Sequence, residues 1–322
     1  VNEFELIGRY FTRPAQRAVL GVGDDCALLA PAQGRQLAIS ADMLVAGRHF
    51  FPDVDPYRLG HKALAVNLSD LAAMGAQPSW CTLSIALPAV DEAWLAAFSA
   101  GFFALADLHG VELVGGDTTR GPLTIAVQIA GEIEPGQALR RDGARIGDDI
   151  WVSGVLGAAS VAVLARSGKL AGQGIVLSAE QQARCGERLD MPTPRVALGR
   201  ALRGIAHAAL DVSDGLLGDL RHIAARSGVA AELDWLQLPV DPAIINLPLA
   251  MQQQAVLTGG DEYELCFTAA TAQRAALQAL SVELDLPLTR IGRITAGEGV
   301  HARAGDGSPL LAGARGFDHF AA

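Results

Sequence analysis

Apolar positions along the chain recur with two periods, three-to-four and two, and each change of period marks an element. Phe4, Ile7, Tyr10 and Phe11 fall at helical spacing, so an amphipathic helix is expected to open the chain. Residues 36–40 (QLAIS) read as a strand that ends in Asp42. Asp55-Pro56 begins a long helical pattern carrying Leu59, Ala63, Val66 and Leu71 and closing at Gly75. A strand is expected over 80–87, and a helix over 91–109 with Asp91 as its N-cap. A short buried strand at 111–114 and an alternating one at 123–133 follow. The basic, glycine-containing segment LRRDGARIGDD (139–149) reads as a junction. Beyond it the pattern predicts a strand at 150–153 and helices at 157–167 and 179–189. After the punctuation MPTPR (191–195) come a helix and a strand at 208–212, then a strand at 264–268, a helix at 272–280 and a strand at 289–294. Strands and helices mix in both halves with few tight hairpins. The expected fold class is α/β (α+β) in two domains, 1–138 and 139–322.

Composition narrows the function. Half of the 322 residues are apolar and 19% are charged, as in a well-packed globular protein. A net charge of −10 argues against a nucleic-acid partner. It still allows phosphorylated small molecules, provided cations or local arginines mediate. The four cysteines lie far apart with no CxxC pair, which argues against structural zinc and disulfides and fits a reducing compartment. The opening VNEFELIGRYF lacks the layout of a signal peptide, and no apolar run reaches membrane-spanning length. A soluble, cytoplasmic protein without a membrane partner is expected.

Acidic residues recur where elements break: Asp24 and Asp25 in GVGDD, Asp42 in SADML, Asp70 in NLSDLAAMGA, Asp117 in VGGDTTRG, Asp211 and Asp214 in LDVSDG, and Asp261 and Glu262 in TGGDEYEL. Three of these sites follow glycines, which let backbone approach a ligand. Asp117 and Asp211 are expected at the ends of strand-like runs, where open α/β sheets bind ligands. Oxygen-only donors suit Mg²⁺, and gathered carboxylates repel one another without it. With ATP, Mg²⁺ would neutralise the triphosphate, and Arg141 is the candidate phosphate contact. Plainer readings stand beside each. A Gly-Asp pair makes a turn, Asp214 caps the following helix, Asp70 lies on a solvated helix face, His49 packs at the surface, and Phe317 belongs to a core. The chain has no GxxxxGK[ST], no GxGxxG opening a βαβ unit, no HRD or DFG set and no GxSxG. Spacing alone supports a metal-dependent site for anionic ligands.

The order GVGDDCALL, AISADMLVAGRHF, HKALAVNLSDLAAMGAQP, VGGDTTRGPL, LDVSDGL, GGDEYELCF closely resembles the thiamine-monophosphate kinase family, and the likeness runs from the first helix to GFDHF. The resemblance implies ATP-dependent phosphorylation of thiamine monophosphate to thiamine diphosphate, in thiamine diphosphate biosynthesis. It also implies the two-domain fold of the aminoimidazole ribonucleotide synthetase and selenophosphate synthetase superfamily, a homodimer paired through the N-terminal sheets, and MgATP in a cleft between domains. By motif position, Asp25, Ser40, Asp42, Asp70, Asp117, Asp211 and Asp214 resemble ligands of several Mg²⁺ ions. Gly116, Asp117, Arg141 and Ser213 resemble ATP contacts, and His49, Asp261 and Phe317 resemble contacts to thiamine phosphate. No residue is implied as acid or base, because a phosphate oxygen attacks the γ-phosphorus directly. Two positions depart from the family. Ala41 stands where Thr is frequent, and GGDEYE stands for the usual Gly-Gly-Glu-Asp-Tyr-Glu, so Asp261 is a methylene short and Glu262 is its possible substitute. The alternatives are another ATP-dependent synthetase of the superfamily and a non-catalytic nucleotide- or metal-binding protein.

Overall fold

The computed structural model describes residues 3–311, and the chain divides into two units. The first takes in the residues up to Leu71 and 76–138, the second 72–75 and everything from 139 onward. Each mixes helices with a sheet, as the pattern of periods predicts.

In the first unit, helix α1 (Glu3–Leu6) runs straight into a π-helical turn over Ile7–Phe11. The change of pitch shifts the buried face. Leu6, Tyr10 and Phe11 are buried, whereas Phe4, expected on that face, is 81% exposed. Then come β1 (Gln36–Val45), α2 (Pro56–Met74), β2 (Gln77–Leu87), α3 (Glu92–His109), β3 (Glu112–Arg120) and β4 (Thr124–Ile133). The strands form a sheet in the order β1-β4-β2-β3, antiparallel except for β2 with β3, which α3 connects. Asp91 caps α3 through Oδ1, which accepts the amides of Ala93 and Trp94 at 3.0 and 3.1 Å, and Gly110 ends the helix at φ 63°. Leu95, Phe98, Phe102 and Ala106 bury the helix, as Leu59, Ala63, Leu64, Leu68 and Leu71 bury α2.

Two strands run further than expected. β1 continues through Asp42 to Val45, because the alternation continues past residue 40: Ser40 and Asp42 occupy one face and Ile39, Ala41 and Met43 the other. Asp42 therefore sits within the strand and does not end it. β3 continues through Asp117 to Arg120, since the long neighbour β2 supplies ladder partners up to Leu87↔Arg120 whatever the side chains. Asp117 too is inside a strand. On β1 the side chains of Leu37, Ile39 and Met43 are 42%, 60% and 59% exposed.

The second unit contains β5 (Asp149–Ser153), α4 (Ala158–Arg166), α5 (Ala179–Asp190), α6 (Val196–Ala201), β6 (Ala206–Asp211), α7 (Leu216–Ser227), β7 (Ala230–Asp234), α8 (Leu249–Thr258), β8 (Leu265–Ala269), α9 (Arg274–Glu283), β9 (Leu288–Thr295), β10 (Gly299–Arg303) and β11 (Pro309–Leu310). Its sheet has the order β11-β10-β7-β9-β5-β8-β6. β5 is buried along its whole length between β8 and β9, and its Trp151 stacks on Phe267 at 6.5 Å. Asp149, also buried, is held by Arg274 at 2.6 and 2.8 Å. Among the described residues, no helix is long and apolar enough to cross a membrane.

Candidate active site

In the first unit, the loop before β1 divides the roles of its paired carboxylates. Asp24 turns Oδ1 back to accept the amide of Asp25 at 2.8 Å, so Asp24 shapes the loop while Asp25 stands exposed. Ser40 and Asp42 share a face of β1, about 7 Å apart by strand rise. Helix α2 meets that face with Asn67 and Asp70, which lie three residues apart and so on one side of the helix. Ser40 Oγ donates to Asp70 Oδ2, and the amide of Asp42 donates to Asn67 Oδ1 at 3.2 Å. Asn67 is itself buried and anchored by its Nδ2 to Ala63 O at 3.0 Å. Asp70 is therefore turned toward the sheet and is not a solvated-face residue. Asn67 is absent from the sequence-based set, and its signal is the helical spacing inside NLSD.

Gly116 adopts φ 148° beside β2, where a Cβ would lie 1.8 Å from Leu83 O, so only glycine fits. Asp117 follows it with an exposed side chain. His49, just past β1, accepts the amide of Val45 on Nδ1 at 2.9 Å, which puts the proton of the neutral ring on Nε2.

In the second unit, Asp211 is the last residue of β6 and is buried. The segments 211–214 and 260–264 are laced together. Val212 N donates to Glu264 O, Tyr263 N to Val212 O, and Asp261 N to Ser213 O, each at 2.8 Å. The lacing forces left-handed backbone at Asp261 (φ 63°) and Tyr263 (φ 52°). Gly260 is required because a Cβ there would lie 2.3 Å from Ser213 O. Asp214 does not cap α7, whose N-cap is Gly215 with no side-chain bond. Instead Asp219, inside the helix, reaches back, and its Oδ2 accepts the amides of both Ser213 and Asp214 at 3.0 Å. Burial, helped by the charges of Asp211 and Asp214, pushes the Asp219 carboxyl up to about 7 against the pull of those two amides. Arg141 is exposed, and its carbonyl accepts from Ser227 Oγ at 3.0 Å.

Glu262 has a different place from the one its sequence position invites. It is buried, with Oε1 accepting the amide of Gly157 at 2.8 Å, so it does not substitute for Asp261. Burial pushes its carboxyl up to about 7, opposed chiefly by the charge of Arg188. Glu264, also buried, binds Arg188, Arg195 and the Ser153 hydroxyl at 2.5–2.9 Å. Phe317 lies outside the described residues.

Among the described residues, no three His, Cys, Asp or Glu side chains are grouped closely enough to hold a metal by themselves. Within the first unit Ser40, Asp42 and Asp70 are brought together around one strand–helix contact. Within the second, Asp211, Ser213, Asp214 and Asp261 are brought together around one laced pair of loops. The donors are all oxygens, most of them carboxylate, which fits Mg²⁺ and not a softer metal.

Two family models match the chain: AIR synthase related protein, N-terminal domain, over residues 23–133, and AIR synthase related protein, C-terminal domain, over residues 145–305. The thiamine-monophosphate kinase of Salmonella typhimurium is 47% identical over 99% of this chain and 98% of its own length. The crystal structure of thiamine-monophosphate kinase from Stenotrophomonas maltophilia superposes with a TM-score of 0.84 at 52% identity, covering 95% of this chain and 96% of the other. A structure described as AaThiL complexed with AMPPCP and TMP superposes with a TM-score of 0.77 at 29% identity, over 90% and 89% of the two chains.

Proposed function

Because the chain belongs to the thiamine-monophosphate kinase family, we propose that its two sets of oxygen donors carry out Mg²⁺-dependent transfer of the γ-phosphate of ATP to thiamine monophosphate, giving thiamine diphosphate and ADP. A terminal oxygen of the substrate phosphate forms a bond to the γ-phosphorus as the bond from that phosphorus to its β,γ-bridging oxygen breaks in line. The attacking oxygen is already anionic at neutral pH, so no side chain has to remove a proton. Alignment and charge neutralisation then account for most of the rate. Asp25, Ser40, Asp42, Asp70, Asp117, Asp211 and Asp214 would hold Mg²⁺, which would supply the positive charge that the triphosphate and the carboxylates both need.

The protein's own groups do the positioning. Asn67 and Asp70 fix the Ser40–Asp42 stretch of β1 from the α2 side, so its oxygens are presented without rearrangement. Gly116 lets the backbone before Asp117 approach a nucleotide, with Arg141 and Ser213 as further ATP contacts. His49, its Nδ1 committed to the backbone, offers Nε2–H to the substrate, with Asp261 and Phe317 as further contacts. On this reading residues 1–138 form the dimerising and MgATP-binding domain, and residues 139–322 bring Arg141, Ser213, Asp214 and Asp261. The exposed Leu37, Ile39 and Met43 support a homodimer formed through β1, and four unpaired cysteines support a cytoplasmic setting.

The observation that carries the mechanism is the Ser40–Asp70–Asp42 cluster with Asn67 beside it. Incubation with MgATP and thiamine monophosphate is expected to give thiamine diphosphate and ADP in equal amounts. Asp42→Asn is expected to lower kcat at least a hundredfold with the melting temperature unchanged. Absence of both products from protein that still binds ATP would overturn the activity, and near-normal turnover by Asp42→Asn would overturn the metal assignment.

A further inference from the structure

Helix α7 carries a buried carboxylate to which the transfer chemistry gives no role. Asp219 is only 6% exposed and lies one turn inside the helix, yet its bonds go backward to residues that precede the helix. An N-capping side chain accepts amides ahead of it, within the first turn. Asp219 does the opposite: its Oδ2 takes the amides of Ser213 and Asp214 at 3.0 Å each, while its own amide makes the ordinary helical bond to Gly215 O at 2.9 Å. The arrangement therefore serves the turn and not the helix.

Its effect on the turn is specific. The Ser213 amide is bound by Asp219 and the Ser213 carbonyl by the amide of Asp261, so both backbone groups of that residue are committed to protein. Its amide is thereby closed to a ligand, and the hydroxyl is the donor that Ser213 has left to offer. Asp214, with its amide drawn inward, leaves its carboxylate on the exposed side. The far end of the same helix does similar work: Ser227 Oγ accepts the amide of Ala144 at 3.1 Å and donates to Arg141 O at 3.0 Å. One rigid helix thus holds, from its two ends, the segments that carry Ser213, Asp214 and Arg141.

We infer that Asp219 is a positioning residue for the nucleotide: it locks the 213–214 turn so that the Ser213 hydroxyl and the Asp214 carboxylate are set for MgATP before it binds. The inference rests on the reading of Ser213 and Asp214 as MgATP contacts. It acts on one substrate of two, which a purely structural role would not do.

The test compares Asp219→Asn, Asp219→Ala and Asp214→Asn by steady-state kinetics, with binding of a non-hydrolysable ATP analogue measured by calorimetry in the presence of Mg²⁺. Asp219→Ala removes the acceptor of both amides and is expected to raise the KM for MgATP at least tenfold, with the KM for thiamine monophosphate within twofold of the parent. Asp219→Asn retains an oxygen acceptor and is expected to recover most of that loss, and it answers the question if the alanine variant does not fold. Unchanged MgATP binding in the folded Asp219 variants, or equal rises in both KM values, overturns the positioning role. If Asp214→Asn also leaves MgATP binding unchanged, the reading of the turn is overturned with it. If Asp214→Asn alone weakens binding, the reading stands and only the role of Asp219 falls.

Discussion

At the scale of single residues, Gly116 shows how a site is built from what is missing. Its φ of 148° and the 1.8 Å approach of a Cβ to Leu83 O mean that Gly116→Ala must push β3 off β2 beside Asp117. We expect that variant to lose about 2–4 kcal/mol of stability by urea denaturation, together with most of its turnover. A variant of parental stability would show that the backbone there relaxes freely. Residues with an oxygen to offer were legible in the sequence because Asp, Ser and Gly stand out from apolar runs. Asn67 and Asp219 stand outside that set, because each acts by accepting backbone amides from residues distant in sequence or outside its own helix; the helical spacing in NLSD places Asn67 beside Asp70 but does not record its bond to Asp42. Glu262 departs from its expected place for a related reason. Adjacent acids in GGDEYEL look equivalent, but the left-handed backbone at Asp261 and Tyr263 directs Glu262 to the interior.

At the scale of elements, the helices were the most legible, since α2 and α3 have strong caps, long apolar faces and glycines at their ends. Strand ends were less so. β1 and β3 run on through charged residues because a neighbouring strand provides the ladder, and that neighbour cannot be read locally. The sequence pattern marks α7 only as the helix that follows Asp214, without bounds, and does not mark β7, α8, β10 or β11. Of these, β7, β10 and β11 are short, and α8 has buried residues on more than one face. β5 illustrates what holds a buried strand. Burial works to raise the carboxyl of Asp149, but the bonds from Arg274 and the charge of Arg290 outweigh it and hold the group below its ordinary 3.8. A carboxyl depressed in the folded state stabilises the fold above its unfolded value and loses that contribution as the pH falls through its native one. Arg274→Ala is therefore expected to lower the melting temperature at pH 7, modestly because Arg274 is half exposed. The difference from the parent should narrow as the pH falls below 3.8. A difference independent of pH in thermal melts would assign the loss to packing.

At the scale of the whole molecule, the exposed row of Leu37, Ile39 and Met43 on an edge strand is the feature most in need of cover, because such edges recruit other chains. If the chain pairs through β1 as proposed, the parent sediments as a dimer and Ile39→Asp is expected to sediment as a monomer with a lower melting temperature. A sedimentation coefficient that the substitution leaves unaltered would overturn pairing through β1. The two sheets also differ in when they can exist during synthesis. All four strands of the first lie between residues 36 and 133, so its ladder can close while the rest of the chain is still being made. β5, made soon after, has its partners in β8 and β9, and it must wait until residue 295 has been added. A ribosome pausing anywhere in that interval would hold a finished first sheet beside an apolar, unpaired β5, the stretch of this chain that a chaperone has most reason to cover.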